Sequence, residues 1–363
     1  MESGNKSGNV SGCNSSSISS AVTAKHKSAA LSPASIASEQ TYSGARTYLR
    51  TSRVAHARAG DFAVIGVPFD CATSNRPGAR FGPDAIRSAS AQLADLKAYP
   101  GGFNPLDHVN VVDVGDVLLD FGFPQTIPEA IAQAASEVIE TGAFLCALGG
   151  DHFISYPLLQ AQARRHGPLA LVHFDAHPDT WTPRVSAEGA VELNHGTMFA
   201  QAIDDGLIVP GRSAQIGIRT WVDDPRGVNI FDSLTVAEHG ARAIAEAVQA
   251  LVGSMPCYLT VDIDCLEPAF APGTGTPVTG GLMPRELLAM LRGLDALNVV
   301  GCDVVEVAPA YDQGGITALA AATVVYEQIC RVARRNGAVA CDYPVPAMAP
   351  PRRLVNGGAR HAG

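Results

Sequence analysis

The sequence is poor in charged and aromatic side chains, the two groups on which the binding of nucleic acids and membrane surfaces depends. Only 17% of its 363 residues are charged and 6% are aromatic, and the net charge is −9. A chain this acidic lacks the basic patch that binds nucleic acids or anionic membranes. The composition therefore argues against both as partners and leaves a small cationic ligand open.

Cysteine pairs of the CxxC type and long apolar runs are also missing. The eight cysteines form no CxxC motif, and Cys146, Cys257 and Cys302 stand in apolar runs, where cysteine acts as a small hydrophobic residue. No run reaches the roughly 18 uncharged residues that a membrane-spanning helix needs, and the first residues contain no apolar signal-peptide core. We therefore expect a cytoplasmic protein whose thiols are reduced.

Two terminal segments differ in composition from the rest of the chain. Residues 1–45 are rich in Ser, Ala, Gly and Asn, and residues 341–363 are rich in Pro and Gly. Segments of this composition bury too little apolar surface to fold alone, so we expect both to be disordered. A transit peptide fits the first segment poorly, because the one arginine there, Arg46, stands at its edge. Residues 46–340 are then predicted to form one folded domain.

Apolar runs and amphipathic segments alternate through this central region. Strands are predicted at 62–66, 109–114, 143–148, 169–174, 214–218, 257–263 and 299–305, and helices at 84–97, 126–141, 155–166, 236–253, 284–295 and 315–335. Runs that are apolar at almost every position are typical of strands buried on both faces of a parallel sheet. The alternation predicts a doubly wound α/β domain with helices on both faces. Thr126 and Glu129 have the spacing of a capping box at the start of a helix.

Ionisable residues follow four of the predicted strands, at the edge where such sheets bind ligands. They belong to the motifs GGDH, DAHPD, DID and VVE, which supply His152, Asp175, His177, Asp179, Asp262, Asp264 and Glu306. A GGDH or a DxD motif alone has little specificity, since it is equally typical of a structural histidine or a solvated loop. Their combination at four strand ends is far more specific and predicts a shared site.

The charges of this set indicate what the site holds. Six of the residues offer four carboxylates and two imidazoles, with a formal charge of −4 that two divalent cations neutralise: His152, Asp175, His177, Asp179, Asp262 and Asp264. A set dominated by oxygen, without cysteine, favours Mn²⁺ over Zn²⁺ and leaves Ni²⁺ or Co²⁺ open. Two such ions that share a water lower its pKa and present hydroxide near neutral pH.

Three further ionisable residues lie within or beside apolar runs. His173 has the same parity as Asp175 but lies two residues deeper, and we interpret it as a buried, hydrogen-bonded core residue. Glu306 and Asp303 stand among valines, where an unpaired carboxylate would be costly. For Glu306, a structural ion pair and an anchor for a cationic substrate are equally compatible with the sequence.

These motifs resemble those of the ureohydrolase family, which includes arginases, agmatinases and guanidino-acid hydrolases. The similarity rests on GGDH, DAHPDT, NHGTMF, VDIDCLEPAFAPGTGTP and VVEVAPAYD and covers about residues 45–340, with residues 66–87 and 308–323 most similar to agmatinases. The resemblance implies a three-layer α/β/α fold of the arginase type with a mostly parallel sheet. It also implies a homotrimer or homohexamer that hydrolyses a guanidino group to urea and an amine with two Mn²⁺ ions per subunit.

The same resemblance assigns roles to individual residues. It implies that the six candidate ligands hold the ions, that Asp175 and Asp262 bridge them, and that a metal-bridging hydroxide attacks the guanidino carbon. His195, in NHGTMF, corresponds to the family's active-site histidine, which is taken as a proton shuttle and substrate contact. Glu306 corresponds to the glutamate that binds the guanidinium. Asp179 is expected to hydrogen-bond the hydroxide as well as bind metal.

Agmatine is the substrate that the resemblance favours, and guanidinobutyrate, guanidinopropionate or another guanidino compound is the alternative. Trp181 stands where arginases have an asparagine that holds the amino-acid end of arginine, which counts against arginase activity. Pro178 and the long segment 181–194 also depart from agmatinases. This segment, which begins with Trp181, is expected to bind the substrate's tail. It carries both Arg184 and Glu188, so it selects neither a carboxylate nor an ammonium tail.

Two alternatives come from other classes of protein. A non-catalytic accessory paralogue would have lost one or more metal ligands, whereas all six are present here. A dinuclear phosphoester hydrolase would need basic groups beside its metals, whereas the expected anchor in this sequence is the acidic Glu306. The sequence therefore favours a ureohydrolase over both.

Overall fold

The computed structural model describes Met1 and residues 46–341, apart from Glu188 and Ala190. The chain divides into two units between Ala45 and Arg46. The disorder predicted for residues 1–45 and 341–363 falls, except at Met1 and Cys341, outside the described residues and stays a prediction.

Eight strands form one sheet in which every neighbouring pair is parallel. The strands are β1 (Phe62–Val67), β2 (Val111–Asp116), β3 (Phe144–Gly149), β4 (Ala170–Phe174), β5 (Ala214–Ile216), β6 (Asn229–Phe231), β7 (Cys257–Asp262) and β8 (Val299–Val305). Their order across the sheet is β2-β1-β3-β8-β7-β4-β5-β6. All seven predicted strands are present, and the predicted parallel sheet is confirmed.

Helices cover both faces of this sheet. They are α1 (Gly82–Ser90), α2 (Ile127–Glu140), α3 (Ser155–His166), α4 (Met198–Asp204), α5 (Ser233–Val252, interrupted at Gly240), α6 (Pro284–Gly293) and α7 (Ile316–Arg335). Successive side chains of a strand point to opposite faces, so the strands fill two cores. One core packs the strands against α1, α5, α6 and α7, and the other packs them against α2, α3 and α4. The result is the expected three-layer α/β/α architecture.

Several local details differ from the sequence prediction. Strand β6 and helix α4 are absent from it because such short elements show no clear period. Helix α1 ends at Ser90, well before the predicted residue 97, and a 3₁₀ turn at Ala91–Leu93 follows it. The capping box at Thr126 is wrong: its hydroxyl donates to the Phe123 carbonyl (2.8 Å) and makes no cap. Helix α2 has Pro128 in its first turn instead, where a missing N–H is tolerated.

Helix α7 is long and apolar enough to cross a membrane by length and composition alone. However, 72% of its apolar window is buried within the domain, and Val325 and Ile329 belong to the core. A buried core helix passes the same test of composition. The seven cysteines within the described part of the chain are free, and Cys146, Cys257 and Cys302 are buried as predicted.

A buried ion pair joins α1 to β2, the strand at one edge of the sheet. The Nε and NH2 atoms of Arg87 donate to the Asp113 carboxylate (2.8 and 3.0 Å), and NH1 donates to Asp116 (2.5 Å). Removing one partner of a buried pair leaves the other charge uncompensated, which costs about 3–5 kcal/mol.

We predict that Arg87→Met lowers the free energy of unfolding by about that amount in urea denaturation. The control Arg242→Ala, which breaks an exposed pair with Glu246, should change it little; equal effects would contradict the role of burial.

Candidate active site

Four neighbouring strands at the centre of the sheet carry the predicted site residues at their carboxyl ends. These strands lie side by side in the order β3-β8-β7-β4. They position His152 after β3, Asp175, His177 and Asp179 after β4, Asp262 and Asp264 at the end of β7, and Glu306 after β8. Because the strands are parallel, their carboxyl ends bring residues that are distant in the sequence to one edge.

The GGDH motif makes a tight turn after β3. Gly150 has a φ of +57°, and a Cβ atom there would lie 2.5 Å from a carbonyl oxygen of β1. Only glycine fits this approach in this conformation. The Asp151 carboxylate then accepts hydrogen bonds from the backbone N–H groups of Ala72 (2.8 Å) and Phe153 (3.2 Å). The turn that presents His152 is thereby fixed on both sides.

The Nδ1 atom of His152 faces three carboxylates. It lies 3.0 Å from Asp175 Oδ2, 3.0 Å from Asp179 Oδ2 and 3.2 Å from Asp262 Oδ2. All four side chains are buried, and Nδ1 has no hydrogen-bond partner. The ligand atoms of His152, Asp175 and Asp179, together with one of His173, lie close enough to one another to hold a metal ion. Asp262 faces the same nitrogen of His152.

A second histidine faces the other oxygen of Asp175. His177 Nδ1 lies 3.3 Å from Asp175 Oδ1 and 3.2 Å from Asp264 Oδ2. Asp175 thus directs one oxygen toward each histidine, as a carboxylate shared by two ions would. Asp262 directs Oδ2 toward His152, while its Oδ1 accepts the backbone N–H of Asp264 (2.9 Å). The structure brings the six predicted ligands together in two overlapping groups, although the bridging roles stay predictions.

Protons and cations compete for these ligands. Burial and the charges of Asp264 and Asp175 raise the pKa of Asp262 well above its ordinary value. Burial lowers the pKa of His177, but Asp264 and Asp175 outweigh this effect and raise the pKa to about 12. Both shifts follow from four carboxylates in one buried place, and a bound cation relieves them by displacing protons. The residues therefore fit divalent metal ions.

His173 lies directly beneath this cluster and is fully buried. The amide Nε2 of Gln215 lies 3.3 Å from His173 Nδ1, so Nδ1 accepts and the ring proton lies on Nε2. That atom is 2.6 Å from Asp175 Oδ2 and donates to it. Both ring nitrogens are therefore used within the protein, and the prediction of a hydrogen-bonded core residue is confirmed.

Glu306 has one engaged and one free carboxylate oxygen. Oε1 accepts the backbone N–H of His152 (2.9 Å) and lies 2.9 Å from His195 Nδ1, whereas Oε2 is buried and has no partner. No lysine or arginine within the described ranges forms an ion pair with Glu306, which weakens the structural alternative. Glu306 and Asp179 have φ values of +65° and +51°, a strained conformation that is concentrated at functional sites in proteins.

Ser74 is a site residue that the sequence analysis missed. Its backbone N–H and Oγ lie 3.0 and 2.7 Å from His195 Nε2. The backbone N–H can only donate, so Nε2 of the neutral ring accepts and the ring proton lies on Nδ1, facing Glu306. Burial lowers the pKa of His195, but Glu306, Asp179 and Asp151 outweigh this and raise it to about 9. The motif around Ser74 was noted only as a resemblance, and no charge in it indicates this contact.

A cavity of about 390 Å³ is lined by Ser74 and by some of the other site residues, although not by Glu306. Its inner wall includes His177, Asp179, Asp262 and His195, and its outer wall includes Trp181, Thr182, Arg184, Glu192 and Asn194. The outer residues belong to the predicted 181–194 segment, which forms a hairpin closed by a bridge between Val185 and Val191. The segment therefore forms a wall of the cavity, as expected, while substrate binding by Trp181 stays a prediction. Glu188 lies outside the described residues.

Comparison with known proteins places the chain in a family. The sequence profile of the arginase family matches residues 60–330. The chain belongs to the arginase family. It is 48% identical over 303 residues to the agmatinase of Chromobacterium violaceum, an alignment that covers 83% of this chain and 92% of the relative.

Solved structures show the same relationship. The crystal structure of a hypothetical agmatinase from Burkholderia thailandensis is 51% identical with a TM-score of 0.78, and the match covers 82% of this chain and 93% of that one. Proclavaminate amidino hydrolase from Streptomyces clavuligerus is 41% identical with a TM-score of 0.77, covering 81% and 99%. These matches confirm the arginase-type fold and a ureohydrolase enzyme.

Metal ions should stabilise this site, because they neutralise carboxylates that otherwise repel one another. A ligand at one hundred times its Kd adds about 2.7 kcal/mol to the free energy of unfolding. We predict that EDTA lowers the melting temperature and that added Mn²⁺ restores it, less so at lower pH, where protons compete for the ligands. The control is NaCl at matched ionic strength, which should have little effect. A melting temperature that changes with neither EDTA nor Mn²⁺ would contradict a metal centre here.

Proposed function

We propose that this protein hydrolyses agmatine to urea and putrescine with two Mn²⁺ ions. The observation that carries the proposal is Glu306 Oε2, a buried carboxylate oxygen without a partner beside the carboxylate cluster. A planar guanidinium has paired N–H donors that match a carboxylate. The agmatinases among the similar proteins support agmatine as the compound whose guanidinium binds to Glu306.

Positioning is the main contribution of Glu306. A guanidinium is a poor electrophile, because its charge is delocalised over three nitrogens. Holding it against Glu306 places its carbon beside the cluster and converts a bimolecular reaction into an effectively intramolecular one. Two bound divalent ions, held by the six ligands, would supply the nucleophile by making water acidic enough to ionise near neutral pH.

His195 is placed to provide the proton that the leaving amine needs. The neutral ring keeps a proton on Nδ1, hydrogen-bonded to Glu306 Oε1. Its pKa, raised to about 9, lets the ring take up a second proton at Nε2. That proton replaces the hydrogen bond donated by the Ser74 backbone N–H, and Ser74 Oγ, 2.7 Å from Nε2, becomes its acceptor. Asp179, on the same wall of the cavity, is proposed to orient the nucleophile.

The outer wall favours agmatine over a guanidino acid. Arg184, the cation that a carboxylate tail would need, donates from Nε and NH2 to both oxygens of Glu192 (2.5 and 2.7 Å). The edge of the Arg184 guanidinium that would bind a carboxylate tail is therefore already hydrogen-bonded to Glu192. The similarity to proclavaminate amidino hydrolase keeps the guanidino acids as the second candidate class.

A urea-release assay with Mn²⁺ tests this proposal directly. Agmatine, guanidinobutyrate, guanidinopropionate, arginine and guanidine should be compared at equal concentrations. We predict the highest kcat/KM for agmatine, the compound that the similarity to agmatinases supports. Faster hydrolysis of guanidinobutyrate would overturn the choice of substrate, and no urea from any compound would overturn the proposed activity.

Asp179→Asn tests the role of the cluster in turnover. Asparagine tolerates the positive φ of this position, so the backbone should stay in place. We predict that kcat falls at least about 100-fold because a charged ligand beside the reacting group is lost, with the far-UV circular dichroism unchanged. Asp120→Asn, in an exposed loop, is the matched control and should keep wild-type activity. Full activity of Asp179→Asn would refute the proposed role.

The proposal extends to assembly and location. The ureohydrolase motifs support a homotrimer or homohexamer, and the cysteine usage supports a cytoplasmic protein with reduced thiols. Light scattering after size exclusion distinguishes the two assemblies from a monomer.

A further inference from the structure

A row of buried polar side chains crosses the centre of the sheet beneath the metal ligands. Asp303 on β8 lies opposite Thr260 on β7, Thr260 lies opposite His173 on β4, and His173 lies opposite Gln215 on β5. All four are fully buried. Polar groups at such positions are costly unless they are hydrogen-bonded, and apolar residues fill the same strands elsewhere. The six metal ligands do not account for this row.

Thr260 contacts the face of His152 that points away from the cluster. Its Oγ1 lies 2.8 Å from His152 Nε2. The opposite ring atom, Nδ1, faces the carboxylates and has no hydrogen-bond partner. Nδ1 can bind a cation only through its lone pair, so the ring proton must lie on Nε2 and be donated to Thr260.

The hydroxyl proton of Thr260 then needs an acceptor of its own. Asp303 lies opposite Thr260 on the neighbouring strand, and its Oδ2 accepts from Ser155 Oγ (2.7 Å) and Tyr258 OH (2.8 Å). Asp303 Oδ1 is buried and has no hydrogen-bond partner, so it is free to accept a proton from a neighbouring hydroxyl. Burial raises the pKa of Asp303, and the nearby His152 ring and hydrogen bonding from neighbouring hydroxyls counteract part of that rise. An ionised carboxylate only accepts, so it fixes the direction of the hydrogen bonds that reach it.

We propose that Thr260 and Asp303 are positioning residues that keep the Nδ1 lone pair of His152 aimed at the metal ions. Asp303 accepts the hydroxyl proton of Thr260, and the hydroxyl oxygen in turn accepts the ring proton of His152. This order leaves one ring tautomer and one ring orientation. Phe199 packs edge-on against the His152 ring, with centroids 5.3 Å apart, and restricts its tilt. The proposal rests on the proposed metal centre and deepens it.

Thr260→Val tests the proposal, because valine has the shape of threonine without the hydroxyl. Mn²⁺ binding to the EDTA-treated full-length protein should be measured by competition with a fluorescent chelator. Loss of a partner behind a metal ligand typically weakens binding about 10- to 100-fold, and we expect this loss at one of the two sites. The site of His177 should keep its affinity, because that ring contacts Asp175 and Asp264 and not the row. Thr260→Ser restores the hydroxyl and should restore wild-type affinity.

Two control variants separate positioning from a general loosening of the core. Tyr258→Phe and Ser155→Ala each remove a buried donor to Asp303 and leave Thr260 in place. Both should bind Mn²⁺ like the wild type, even where their melting temperatures fall. If Thr260→Val does not fold, Asp303→Asn carries the test, since it replaces the acceptor at nearly constant volume and should weaken the same site.

Three results would overturn the proposal. The first is wild-type affinity at both sites in Thr260→Val or in Asp303→Asn. The second is an equal loss of affinity in the two control variants, which would show that packing alone is responsible. The third is a wild-type protein that binds no Mn²⁺, Ni²⁺ or Co²⁺, and only this result would also overturn the proposed function.

Discussion

Mutual repulsion among four buried carboxylates is the interaction on which the rest of this structure depends. Asp175, Asp179 and Asp262 all lie within 3.2 Å of one histidine nitrogen, and Asp264 faces the second histidine. Removing ionised carboxylates from water costs several kcal/mol each unless opposite charge is near. Backbone N–H groups donate to the carboxylates of Asp175, Asp262 and Asp264, which offsets part of this repulsion.

The parallel sheet is what makes such a concentration of charge achievable. Strands that alternate with helices all end at the same edge, so residues separated by more than a hundred positions meet there. The chain order of the four central strands is β3, β4, β7, β8, but their spatial order is β3-β8-β7-β4. Glu306 and His152 therefore become neighbours, and the backbone N–H of His152 donates to Glu306. The strained φ at Asp179 and Glu306 costs about 1–3 kcal/mol each, and the packed strands behind them stabilise it.

The sequence predicts the strands well, and it also predicts which ionisable residues gather at the strand ends, because both follow local rules. Apolar runs define strands in a sheet covered on two faces, and the alternate spacing of Asp175, His177 and Asp179 marks one side of a strand end. Strand order and register are set by long-range packing, so the row that joins Thr260 to Asp303 cannot be read from either motif alone. Ser74 is hidden for a related reason. Its contact with His195 joins a loop to a segment more than a hundred residues away, and serine itself is too common to mark a site.

The two ends of the cavity differ in how far they are exposed to water. At the inner end, lined by Asp179, Asp262 and His195, burial strengthens each electrostatic contact, and these carboxylates favour a cationic group there. At the outer end, Arg184 and Glu192 are exposed and screened by water, so their pair contributes little energy of its own. Shape is the stronger constraint there. Trp181 is held in the wall by its indole N–H, which donates to the Trp221 carbonyl (3.0 Å), and its ring lies 6.0 Å from that of His177. We therefore propose that the position of Trp181 beside His177, more than the exposed pair, restricts the tail of the substrate.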